Sequence, residues 1–86
     1  MTAATLTEYQ SFIPGVKMGV ASVAHASTSK FGLGYCEGVV LCANGDNDVI
    51  LGASTSSGTA TVSMIDDAGS AVYTAADANY IAWGRL

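Results

Sequence analysis

Positive charge is scarce in this chain: Lys17, Lys30 and Arg85 stand against seven Asp and Glu residues, for a net charge of −4. A protein that neutralises a phosphate backbone needs several clustered cations, so the composition argues against nucleic acid as a partner. The acidic balance suits a surface that stays soluble and is repelled by DNA and anionic lipid. Large apolar residues are few as well. Val, Leu, Ile and Phe together supply 19 of 86 residues, whereas Gly, Ala, Ser and Thr supply 41. At about 25 cal/mol per Å² of buried apolar area, a core drawn from so few large side chains is weak. A domain of this length buries only about 60 to 65% of its unfolded surface, so support from oligomerisation is expected.

Other absences narrow the class further. No apolar run approaches the roughly 18 residues of a membrane span, and no membrane association is expected. The opening MTAATLTEYQ carries no basic leader, which predicts a chain without a secretory signal, kept in a cytoplasm or released from one by lysis. Only Cys36 and Cys42 are available for a disulfide. On one straight strand they would stand about 20 Å apart, beyond disulfide reach. They are expected to be two buried free thiols.

What is present is strand-like. The run FGLGYCEGVVLCANGDNDVIL, residues 31–51, places two apolar segments around the turn-prone Asn44-Gly45-Asp46-Asn47-Asp48, and it is expected to form a central hairpin. Leu6 to Ile13 reads as an arm or edge strand closed by Pro14-Gly15. In Val16 to Ala26, Val16, Met18 and Val20 alternate as in a half-buried strand, whereas Val16, Val20 and Val23 keep helical spacing. Gly19 and the valines favour the strand. Ser27 to Lys30 reads as a polar connection.

Ser56-Ser57-Gly58 punctuates before Thr59 to Ile65, where Ala60, Val62 and Met64 alternate with polar residues. Asp66 to Gly69 is the next turn. Ala71 to Ala75 and Tyr80 to Trp83 read as short strands around a polar break at Asp77-Ala78-Asn79, completing a meander. Turns at intervals of about ten residues predict an all-β fold, a small antiparallel sandwich or barrel with an extended N-terminal arm. The expected division is residues 1–15 as arm or edge strand and residues 16–86 as a single β domain.

No motif supplies chemistry. Counted from Asn44, a calcium loop would need glycine where Val49 stands and a bidentate Glu where Thr55 stands. His25, Cys36 and Cys42 lack the paired spacing that organises zinc. With a single histidine, a Cys-His nucleophile would have to use His25. Gly32 to Gly34 lacks the third glycine of a dinucleotide fingerprint, and neither a P-loop nor a nucleophile elbow occurs. The chain is therefore expected not to be an enzyme and to use no cofactor or metal.

The residues with interface character lie near the two ends. Tyr80, Trp83 and Arg85 belong to types that dominate interaction hot spots, and on a strand Trp83 and Arg85 share a face. Trp83 could equally be the main core residue. Tyr9 and Phe12 pose the same question near the N-terminus.

In character the whole chain resembles the small head decoration, or cement, proteins of tailed bacteriophages: a loose N-terminal segment, MTAATLTEYQ, turns such as ANGDND and DDAG, and an acidic exterior. The resemblance implies a virion structural protein, assembled in the host cytoplasm, that binds the major capsid protein or other virion subunits at capsomer junctions. It further implies a homo-oligomer, often a trimer. An acidic subunit suits the outside of a DNA-filled shell. A small phage tail or fibre subunit, and a soluble β-barrel module for a small ligand, are the competing readings.

Overall fold

Alternation between small and large residues decides which side each strand buries, because successive side chains of a strand point to opposite faces. The computed structural model describes residues 5–9, 13–45 and 49–86. In chain order these form β1 (Thr5–Tyr9), β2 (Val16–Val23), β3 (Thr28–Ser29), β4 (Tyr35–Ala43), β5 (Ile50–Ser56), β6 (Thr59–Ile65) and β7 (Ala76–Arg85). The fold is all-β. Two antiparallel sheets are present, a four-stranded one in the order β1-β2-β7-β4 and a three-stranded one in the order β3-β6-β5, and they are not closed into a barrel. β1 is the edge of the larger sheet, paired along its length to β2.

Residues of both sheets form one core. The larger sheet contributes Ala21, Val23, Cys36, Ala78, Tyr80 and Ala82, and the smaller one Ala60, Val62 and Met64. Much of this set is alanine, so volume comes from a few large residues. Phe31 packs its ring against Tyr80 at a centroid distance of 5.0 Å, within the range of favourable aromatic pairs. Phe31 and Leu33 are buried from a turn preceding β4 rather than from a strand. The Phe31 amide donates to Ser29 Oγ at 2.9 Å and the Leu33 amide to the Lys30 carbonyl at 3.0 Å, which folds the two side chains over the core.

The expected central hairpin does not form. β4 pairs with β7, and β5 pairs with β6 in the other sheet, so the segment after Ala43 crosses between sheets. Asp46, Asn47 and Asp48 lie outside the described residues. The physical reason lies at Ser57-Gly58. Their φ angles of 52° and 80° are the paired positive values that a two-residue type I′ turn requires. That turn clips β5 directly to β6.

The meander expectation also gives way. Ala71 makes a single bridge, to Ile65, and no strand runs from Ala71 to Ala75. The supposed break at Asp77-Ala78-Asn79 is the start of the ten-residue β7, which pairs with β2 on one side and β4 on the other. Asp77 and Asn79 are exposed while Ala78 enters the core; the polar residues follow the pleat. Thr28 and Ser29 of the polar connection form a short strand on β6. The Val16 to Ala26 region is a strand through Val23, and Ala60, Val62 and Met64 are buried along β6 as their alternation indicates.

Candidate functional site

β2 buries the opposite face from the one its large residues suggest. Gly19, Ala21 and Val23 face inward, leaving Val16, Met18 and Val20 on the outside. β7 repeats the arrangement, with Ala78, Tyr80 and Ala82 inside and Asp77, Asn79, Ile81, Trp83 and Arg85 outside. Beside it, β4 turns Val40 and Cys42 outward. On β2 and β7 small residues thus take most of the inner positions and large apolar ones several of the outer positions.

Strand register assembles these outer residues into rows. One row crosses all four strands as Tyr9, Met18, Ile81 and Val40. The next row toward the β7 C-terminus holds Val16, Trp83 and Gly38, and the one beyond it Arg85 and Tyr35. In the other direction come Thr7, Val20, Asn79 and Cys42, then Thr5, Ser22 and Asp77. Val40, Tyr9, Ile81 and Trp83 are 61%, 53%, 52% and 43% exposed. Contiguous apolar surface on this scale marks interaction sites, whereas isolated exposed apolar residues need no explanation.

The outer side of the smaller sheet is different. Its register brings together Thr28, Thr61 and Ser54, then Ser63 with Gly52 and Thr59 with Ser56, with apolar character confined to Ile65 and Ile50 at one end.

Among the described residues, charge is confined to the ends of the apolar face. At one end Arg85 stacks its guanidinium over the Tyr35 ring, 4.1 Å from the centroid, and its Nε lies 3.5 Å from Glu37 Oε1. Glu37 is the extra residue of a β-bulge between Cys36 and Gly38. Both partners of this ion pair are mostly exposed, so it orients the side chains more than it stabilises the fold. Asp77 marks the other end.

Trp83, Arg85 and Tyr9 are thus gathered on one face. Tyr80 is corrected out of the set: it is 2% exposed and lies against Phe31, because its parity in β7 is opposite to that of Trp83. Its hydroxyl has no hydrogen-bond partner among the described residues, and burial, followed by the nearby Glu8 carboxylate, pushes its pKa up. Phe12 lies outside the described residues. Sequence reasoning missed Met18, Val40 and Ile81. The available signal was that β2 and β7 each alternate a large residue with Gly or Ala, a pattern whose polarity is read correctly only once the shared core is known.

The remaining candidates are dispersed. Both thiols are free; Cys36 is buried, whereas Cys42 is exposed, contrary to expectation. The Glu37 bulge shifts the parity of β4 and puts the two cysteines on opposite faces. Burial pushes the Cys36 pKa up, against a smaller opposing effect of the Gly38 backbone. His25 accepts the Met64 amide on Nδ1 at 3.2 Å and meets Tyr73 edge to face. Among the described residues no three His, Cys, Asp or Glu side chains gather into a group that could hold a metal ion, and no helix is long and apolar enough to cross a membrane. The chain matches no family model, no curated protein and no solved structure.

Proposed function

We propose that the protein is a virion structural subunit, a capsid decoration protein that works by binding other subunits through the outer face of its larger sheet. One observation carries the reading: the row Tyr9, Met18, Ile81 and Val40, with Val16 and Trp83 beside it, gathers large apolar side chains on one outer face, Tyr9, Ile81, Val40 and Trp83 of them exposed and Met18 and Val16 half-buried, while alanines take several of the core positions. Burying such a face against a neighbour adds the apolar area that a domain this small lacks within itself. Its charge-free centre and charged ends match the layout of protein interfaces, which are depleted of charge in the middle and polar at the rim. The acidic balance suits the exterior of a shell that encloses DNA. Subunits placed at capsomer junctions would then reinforce the shell by linking neighbouring capsomers.

The test is location and copy number. Particles from cells carrying the gene are purified on a density gradient, and the protein is quantified against the major shell protein. Retention in the particle band at a fixed ratio to that protein is the expected result, with loss from the band for Trp83→Ala at matched folding. A protein found only in the soluble fraction at every stage of particle production overturns the assignment, and one found with isolated tails replaces it by a tail or fibre role.

A further inference from the structure

We infer that Asn44 is a site of self-modification: the backbone amide of Gly45 converts its side chain, through a cyclic imide, into aspartate and isoaspartate, and the product unfastens the end of β4 from β7.

Asn44-Gly45 is the chain's only asparagine followed by glycine, the residue that least obstructs ring closure because it has no Cβ. Asn44 stands one residue past the end of β4, and both it and Gly45 are exposed, so closing a ring there displaces no packed side chain. The attacking and attacked groups belong to consecutive residues, and such proximity makes the step unimolecular. Asn79 offers the contrast. It lies inside β7, opposite Val20 on one side and Cys42 on the other, and the next residue is the buried Tyr80. The same ring at 79 would have to rotate backbone that is held between two paired strands.

The Gly45 amide nitrogen gives up its proton and attacks Asn44 Cγ. The new C–N bond closes a five-membered succinimide, and Nδ2 leaves as ammonia, taking that proton with it. Water then opens the ring. Cleavage at Cγ gives aspartate; cleavage at the main-chain carbonyl gives isoaspartate, in which the backbone continues through Cβ and Cγ. One water is consumed and one ammonia released.

The atom that leaves is one that ties the sheet. Asn44 Nδ2 donates to Asn79 Oδ1 at 2.9 Å. The carboxylate that replaces the amide only accepts, so it opposes that oxygen until the Asn79 amide turns round. The Asn44 backbone amide donates to the Asp77 carbonyl at 3.0 Å, which sets residues 44 and 77 opposite one another, one step beyond the pair Ala43 and Ala78. A carboxylate at 44 therefore faces Asp77, and like charges directly opposite destabilise a sheet. Isoaspartate adds a backbone carbon where the chain leaves the larger sheet for the smaller one. Conversion thus loosens, irreversibly, the Asp77 end of the outer apolar face.

Incubation of the full, freshly purified chain at mildly alkaline pH, in water enriched in heavy oxygen, tests the inference. Ion exchange and peptide mapping are read over days. The expected result is a more acidic species with one heavy oxygen and aspartate or isoaspartate at residue 44, together with an equal release of ammonia. Asn44→Gln, whose ring would need six members, should all but abolish it. Asn44→Asp, which installs the aspartate product from the start, should unfold at lower urea than the wild type, and adding Asp77→Asn should return part of that loss.

A native chain that keeps the amide at 44 overturns the site, whether or not the urea-unfolded chain converts, and so does conversion that falls first on Asn79 or Asn47. An Asn44→Asp chain that unfolds at the wild-type midpoint overturns the unfastening, and one that is weakened but indifferent to Asp77→Asn overturns the repulsion as its cause.

Discussion

Gly38 and Trp83 are cross-strand partners on β4 and β7, and the Trp83 indole lies across the position where any other residue at 38 would carry its Cβ. Such an atom would stand 2.3 Å from indole Cζ2, closer than atoms can approach. The glycine is therefore the seat of the tryptophan, and the pair sets how the larger sheet presents its outer face.

Gly38→Ala should displace the indole and cost about 1 to 3 kcal/mol of stability, the usual range for inserting an atom into a filled site. Trp83 is the chain's only tryptophan, so its emission reports the displacement directly. Urea unfolding gives the energy. An unchanged emission maximum together with unchanged stability would show that the indole does not rest on Gly38.

Tyr80→Phe should be neutral at neutral pH or stabilising by up to about 1 kcal/mol, since it removes a buried hydroxyl that has no partner among the described residues and keeps the ring against Phe31. A pH effect accompanies it. The folded-state pKa of Tyr80 is raised by burial and then by Glu8, so the unfolded chain releases this proton first as pH rises. The neutral phenol's contribution is complete below the ordinary tyrosine value of about 10 and is lost as pH climbs from there through the raised folded value. Stability of the wild type should fall over that alkaline window more steeply than that of Tyr80→Phe, as read by denaturant midpoints at successive pH values.

His25→Ala should cost about 1 to 3 kcal/mol, because the Met64 amide loses its acceptor in a partly buried place. β3 covers only two residues of the β6 edge. Further along, the Met64 carbonyl is met by the Val72 amide at 2.9 Å and the Met64 amide by the imidazole. His25→Asn, whose carbonyl oxygen takes the place of Nδ1, should recover about half of the loss or more. Equal loss in both variants would assign the effect to the Tyr73 contact instead.

Cys42 should react with a thiol reagent in the native protein, and Cys36 only as the fold opens. Exposure differs between them, and burial holds the Cys36 thiol in its unreactive protonated form. One thiol titrated natively and two in denaturant is the expected count; two fast-reacting thiols in the native state would contradict the burial of Cys36.

The sequence disclosed strands better than it disclosed partners. In Thr59 to Ile65 every second residue is apolar, and the pleat alone dictates which side is buried. The valines of β2 likewise chose strand over helix. Pairing was less legible, because two turns competed and the longer polar run was the more conspicuous. Ser57-Gly58 prevails by needing only two residues to clip β5 to β6. At the candidate site, Trp83 and Arg85 could be placed on one face by spacing, and the same count removes Tyr80. Met18 and Ile81 escaped notice because an apolar residue beside a small one is ordinarily the buried member of the pair. Here Ala21, Ala78 and Ala82 take the inside.

The bulge at Glu37 makes residue number a variable of surface chemistry. Upstream of it Cys36 points inward; downstream the odd-numbered Val39 and Leu41 do so while Val40 and Cys42 point out. Deleting this one residue would join Cys36 directly to Gly38, whose partners Gly84 and Trp83 are already consecutive on β7, so the rest of β4 would keep its faces. An added or lost residue elsewhere in β4 would instead turn the strand beyond it inside out. The bulge is thus the one point of this strand where chain length can change while the apolar face stays as it is.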